Sequence, residues 1–271
     1  MCTKLGDYGV RIARIFVSLH SVSCVFMLER TRGIVLHMLR YDDDHIIADI
    51  FTESRGSVSF LVRMPRSHRS KVRSVLLRPL NILELDFDYR PQHGLQRIRE
   101  MRVAMPYVSL PYHPVKCALA LFLAEFLHYS LRNEGVNPPL FHYITFGLRW
   151  LDEASEGLSN FHLVFLMRMS RFMGFWPNVD EAAGVASGTC VFDLREGVLS
   201  RTVPMHSDYL RRDEARLVPL FLHLDYGTMH RLTMSRSQRN RVLEVIIEYY
   251  RLHVPEIPEM KSVAVLHDML T

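Results

Sequence analysis

Between positions 32 and 103 apolar side chains recur at every second residue, and after Pro106 they recur at every third or fourth. No other feature limits the architecture so firmly. Alternation matches the two faces of a strand, whereas a spacing of three or four matches one face of a helix. The alternating runs cover 32–39, 45–52, 57–63, 75–88 and 95–103. In the first, Ile34, Leu36 and Met38 oppose Val35, His37 and Leu39; the fourth ends with Leu83, Leu85 and Phe87 opposing Glu84, Asp86 and Asp88. Asp42-Asp43-Asp44, Gly56 and Arg90-Pro91-Gln92-His93-Gly94 supply turns between them. Short strands with turns and no helical spacer predict a small closed β-barrel, OB-like or SH3-like, which pattern alone does not separate.

Beyond Pro106 the pattern predicts helices. Pro114 suits a first helical turn, with Val115, Leu119, Phe122, Phe126 and Tyr129 along one face and Gly135 as a stop. Further helices are expected over 139–156 and 160–172, the latter ended by Gly174 and Pro177. The stretch 178–206, with Gly184, Gly188, Gly197 and Pro204, reads as a loop holding at most a short hairpin, and helical character returns over 209–224. Ser235 and Gln238 form a capping box for a helix reaching His253, and Ser262 begins a short terminal helix. The expected class is α+β: a barrel over 27–106, then an all-helical domain over 107–271. A chain of 271 residues with 48% apolar and 23% charged residues can fill both cores.

Residues 1–26 read as an extension. Lys4, Arg11 and Arg14 precede an apolar stretch, as in a signal peptide, but His20 and several serines dilute it and no small-x-small cleavage site follows. Ser21-Val22-Ser23 before Cys24 is a poor lipoprotein signal, and the run is shorter than the roughly 20 residues a membrane span needs. Translation is therefore expected to start at Met27. The most apolar run elsewhere, 118–126, is broken by Glu125, so no transmembrane segment is expected. Cys2, Cys24, Cys117 and Cys190 form no C-x-x-C pair. Reduced thiols in a cytoplasmic protein are the reading, rather than a disulfide scaffold or a four-cysteine zinc site.

Catalytic motifs are missing: no phosphate-cradling Gly-rich loop, no G-x-S-x-G and no H-E-x-x-H. Asp42, Asp43 and Asp44 read as a solvated turn, though a metal-dependent nuclease would need such carboxylates. The fourteen histidines are dispersed and read as satisfied or exposed side chains. Neither an enzyme nor a cofactor is expected. Charge is more informative in its placement than in its total, 33 basic against 29 acidic residues. Arg55, Arg63, Arg66, Arg69, Lys71, Arg73 and Arg78 fall in a window without Asp or Glu, and its centre links two expected strands. A barrel loop dense in guanidinium groups and serine hydroxyls suits a phosphodiester backbone. Arg231, Arg236, Arg239 and Arg241 form a second acid-free patch near a helix start. The 160–172 helix is apolar nearly all round except for Arg168 and Arg171, which fit either a buried helix or a groove for an acidic, hydrophobic peptide end.

The order of segments from Arg32 onward resembles the RecO family of bacterial recombination mediators. The resemblance rests on Arg32-Gly33-Ile34-Val35-Leu36, Ile50-Phe51-Thr52-Glu53 with Gly56, Phe60-Leu61-Val62-Arg63, and Leu77-Arg78-Pro79-Leu80. It continues through Phe122-Leu123-Ala124-Glu125-Phe126-Leu127, Phe161-His162-Leu163-Val164-Phe165-Leu166, Ser235 to Arg241 and Tyr249-Tyr250-Arg251-Leu252-His253. It implies an N-terminal OB-fold and a helical domain. It also implies binding of single- and double-stranded DNA, strand annealing, and loading of recombinase onto strands coated by single-strand-binding protein. The implied partners are the acidic C-terminal tail of that coating protein and RecR, with no membrane. Some members hold zinc through four cysteines, but the corresponding stretch here has only Cys190. The competing expectation is a non-enzymatic adaptor whose barrel binds peptide, the basic loop serving only solubility.

Overall fold

The computed structural model describes residues 27–64, 74–179 and 189–270. Five strands close into a barrel: β1 (Met27–Arg40), β2 (His45–Thr52), β3 (Gly56–Arg63), β4 (Ile82–Tyr89) and β5 (Leu95–Met105). Their order is β1-β2-β3-β5-β4 with β4 pairing back on β1, and only β3 and β5 run parallel. That is the OB arrangement, which separates the two barrels that alternation left open.

One face of each strand fills the barrel with Val35, Ala48, Ile50, Phe60, Val62, Leu83, Leu85 and Phe87. Part of the outer face of β1 and β2 is apolar as well: Ile34, Leu36 and Phe51 join Leu80 and Ile82 in a second core shared with the helices. Burial on both sides is why the 32–39 run is apolar at nearly every position. A bulge between Val35 and His37 sets Leu36 and His37 consecutively on the helical side and returns Met38 to the barrel interior.

The described helices are α1 (Pro114–Ser130), α2 (Pro138–Glu153), α3 (Leu158–Phe172), α4 (Arg212–Ala215), α5 (Val218–His223), α6 (Arg236–His253) and α7 (Ser262–Met269). Residues 160–167 of α3 are all buried, which makes it the central helix. The capping box forms as expected, with both the Ser235 and Gln238 side-chain bonds present. No helix among the described residues is long and apolar enough to cross a membrane.

Several expectations need correction. The 75–88 run is not one strand, because Ser74, Val75 and Leu76 form a helical turn and β4 begins only at Ile82. Leu77 enters the barrel core and Leu80 the helical core, so two separate cores imitate the two faces of a strand. Leu80 is held in the left-handed region, φ 68, while its N–H donates to Val35 O and its carbonyl accepts from Tyr107 OH, both at 2.7 Å. The 178–206 stretch does hold a hairpin, β6 (Val191–Asp193) with β7 (Val198–Ser200), but β8 (Tyr209–Leu210) adds a third strand. The helical reading of 209–224 therefore fails at its start, and a separate α5 begins at Val218, with Pro219, which has no N–H to continue α4, in its first turn. Finally, α2 stops at Glu153 and β1 starts five residues before position 32, at Met27.

The barrel is stapled to the helices. Gly56, at φ 71, closes the β2–β3 turn against the α1–α2 loop, where a Cβ would fall inside the Gly135 carbonyl. Next to it Ser57 N–H donates to Glu134 O at 3.0 Å. Glu53 accepts from Arg32 Nε at 2.9 Å and faces His142 Nε2 of α2 at 2.7 Å. Asp152, 8% exposed, accepts the N–H groups of Val108, Ser109 and Leu110 at 2.9, 2.8 and 2.6 Å, gathering the linker against α2. Burial pushes that carboxyl up, but the three N–H donors and Lys116 outweigh it and hold the group below its usual range.

Candidate nucleic-acid interface

The parallel seam is where the barrel opens. β3 and β5 share only the pairs Ser59–Leu95 and Phe60–Gln96, after which β5 follows β4 and β3 runs on to Arg63. The gap is a groove of about 550 Å³ between Leu61–Arg63 and Arg97–Met101, with Leu76 at its side and Asp44 and His45 at one end. The described residues on either side of the centre of the acid-free segment reach this groove, Arg63 from β3 and Leu76 from the turn after Ser74. Arg66, Arg69, Lys71 and Arg73 lie outside the described residues. Arg63 at the end of β3, Arg78 in the following turn and Arg97 on β5 are exposed. Arg78 and Arg97 form no ion pair with a described residue. Arg55 differs from them: its Nε donates to Glu29 at 2.9 Å and its guanidinium lies 4.2 Å from the Tyr89 ring centre.

On the outer face of β4 the arginines are matched one for one. Glu84, Asp86 and Asp88 point outward, and Arg102, Arg30 and Arg99 from the flanking strands meet them at 2.7, 2.7 and 2.8 Å. The hydrogen bond from Arg30 is the largest influence on Asp86 and holds its carboxyl below the usual range. Such a face presents little unneutralised charge to a polyanion. Alternation exposed the three carboxylates in the sequence, but their partners sit on β1 and β5, out of reach of local reading.

The second basic patch is dispersed. Arg236 pairs with Asp268 at 3.3 Å, Arg241 with Glu214 at 2.7 Å, and Arg231 is exposed. Arg239 turns inward, donating to Asn160 Oδ1 and Met234 O at 3.3 Å each, and burial lowers its pKa. Arg236 and Arg239 lie three apart on α6, a spacing that favours one face, but Asn160 of α3 supplies an acceptor that claims the second. Arg168 donates to the Leu224 carbonyl at 2.7 Å, which finishes α5, while Arg171 is exposed on the last turn of α3. The apolar groove lies elsewhere. About 490 Å³ opens between α4–α5 and α6, lined by Leu217, Val218, Leu220, Phe221 and Val242, with Arg216, Asp213 and the Arg241–Glu214 pair beside them. Leu217 and Leu220 on its rim are exposed by 38% and 44%, an exposure that the sequence pattern does not reveal. Cys190 is buried and is the single cysteine of its stretch, so the donors for a four-cysteine zinc site do not fit this chain.

Residues 27–107 match the family profile described as Recombination protein O N terminal, and residues 112–262 the one described as Recombination protein O C terminal. Among similar curated proteins is the DNA repair protein RecO of Phocaeicola vulgatus, 46% identical over 245 residues, which covers 90% of this chain and 100% of that protein. The Bacteroides fragilis protein of the same name is 45% identical over 244 residues, 90% of this chain and 99% of its own. That of Porphyromonas gingivalis is 30% identical over 244 residues, 89% and 98% of the two chains.

Proposed function

The chain belongs to the RecO family of DNA repair proteins, and from that premise we propose that it is a non-catalytic mediator that grips single- and double-stranded DNA at the barrel seam. It anneals complementary strands and helps load recombinase onto strands coated by single-strand-binding protein. Annealing needs no covalent step. Two strands must be held with their phosphate repulsion reduced and their bases free to pair, which arginines on the backbone achieve without reading sequence. The carrying observation is the seam itself: a groove edged by Arg63 and Arg97, to which the acid-free window contributes both Arg63 and Leu76. The β4 face, its arginines already matched, is the poorer candidate.

Partner recruitment falls to the helical domain. An acidic tail ending in hydrophobic residues suits the α4–α6 groove, with apolar walls and Arg216 at its edge, better than the surroundings of Arg168 and Arg171. RecR is the other partner we assign, without a surface.

Replacing Arg66, Arg69, Lys71 and Arg73 together by Ala tests the seam. The folded variant is expected to bind single-stranded DNA more weakly, with a log–log salt slope flatter by roughly 2.8 if all four contact phosphates. An unchanged slope removes this segment from the interface.

A further inference from the structure

Three side chains distant in sequence converge on the outer face of the barrel where α1 crosses it. β1, β2 and β3 run side by side there, and the ladders pair His37 with Asp49 and Asp49 with Ser59, so the three lie in one row. The β1 bulge aims His37 at the helices. His128 of α1 covers the end of the row, its ring stacked on that of His37 with centres 4.4 Å apart. Ser59 Oγ donates to Asp49 Oδ1 at 2.6 Å, and Asp49 Oδ2 faces His37 Nδ1 at 3.8 Å. That last distance is too long for a hydrogen bond. One ligand atom from each of His37, Asp49 and His128 lies within 4.8 Å of the other two. The groups approach a common point without bonding one another.

We propose that His37, Asp49 and His128 bind a divalent transition-metal ion of the zinc class, clamping β1 and β2 to α1. Two imidazoles and one carboxylate make a nitrogen-rich donor set that suits Zn²⁺ and its neighbours, and is wrong for Mg²⁺ or Ca²⁺, which take oxygen. His37 and His128 border a cavity of about 390 Å³, lined also by Leu36, Leu121, Glu125 and Lys261, with room for water. Bond lengths of roughly 2.0–2.2 Å require the ligand atoms to close up, by rotation of partly exposed side chains. Ser59 orients the carboxylate from behind, as outer partners of metal ligands do. Glu125, one turn earlier, is not a competing ligand, because its oxygens accept the N–H groups of Lys261 and Ser262 at 3.2 and 2.8 Å.

The full-length protein, stripped with a chelator, is titrated with Co²⁺ as a spectroscopic probe and then with Zn²⁺. Visible ligand-field bands should grow to one Co²⁺ per chain and vanish as Zn²⁺ displaces it, and Zn²⁺ but not Mg²⁺ should raise the melting temperature. His37→Gln and His128→Gln should each weaken Co²⁺ binding by roughly 100-fold or more, since disturbing even an outer partner costs about 10–100-fold. Ser59→Ala should fall in that lower range, and Cys117→Ser should change nothing. Metal-free melting curves of the variants separate lost ligation from lost folding. Wild-type protein without a Co²⁺ spectrum, or a well-folded His128→Gln that keeps wild-type binding, overturns the proposal.

Discussion

The barrel meets its surroundings in two contrasting ways. At the junction with the helices charged groups are tied down: Glu53 of the barrel holds Arg32 and His142, and Asp152 of α2 holds three backbone N–H groups of the linker. At the β3–β5 seam the strands part after two residue pairs, and Arg78 and Arg97 nearby have no ion pair with a described residue. The contrast teaches that the number of arginines does not mark an interface. What matters is whether the fold has already supplied each with a carboxylate, since a matched pair has little attraction left for phosphate.

The largest effect should come from the junction. Asp152→Ala leaves buried N–H groups without an acceptor, and should lower stability by roughly 3–5 kcal/mol in chemical denaturation. The salt slope for DNA should stay unchanged in the protein that remains folded. A loss well under 1 kcal/mol would mean that the linker is not held by this carboxylate.

The second concerns His162 in the shared core, 1% exposed with Nδ1 unpartnered, whose pKa burial lowers to about 3. The fold favours the neutral ring, so stability is complete above the ordinary value of 6.5 and declines as pH falls from there towards 3. By pH 4 the loss from this group should reach about 3 kcal/mol, and His162→Leu should flatten that part of the stability curve. Parallel wild-type and variant curves across the window would contradict it.

The smallest stability change, and the sharpest test of the contrast, sets two double variants against each other. Arg78→Ala with Arg97→Ala should leave melting nearly unchanged, yet flatten the salt slope by up to roughly 1.4. Arg30→Ala with Arg102→Ala, on the matched β4 face, should leave the slope alone. Equal slopes in the two would erase the distinction between the faces.

Much of this was legible wherever the cause is local. His45–Thr52 appears with its expected bounds, Pro114 starts α1, and the Ser235–Gln238 box starts a helix that ends at His253. Each depends on neighbours a few residues away. The 75–81 stretch was misread because Leu77 and Leu80 serve two cores, and a short apolar run does not say how many cores it faces. The same limit hid the site chemistry. Arg239 looked like a surface cation until Asn160 of α3 turned it inward, and His37 and His128 looked dispersed until α1 was laid across β1.

Periodicity and turn chemistry, written in the chain itself, determined the barrel, the helical half and the location of the acid-free segment. Only the tertiary structure decided which arginines keep their charge available, where the barrel opens, and which histidines face one carboxylate. The reason is physical: backbone preference and amphipathicity act over a few residues, whereas pairing and burial depend on groups that folding brings together from distant parts of the chain.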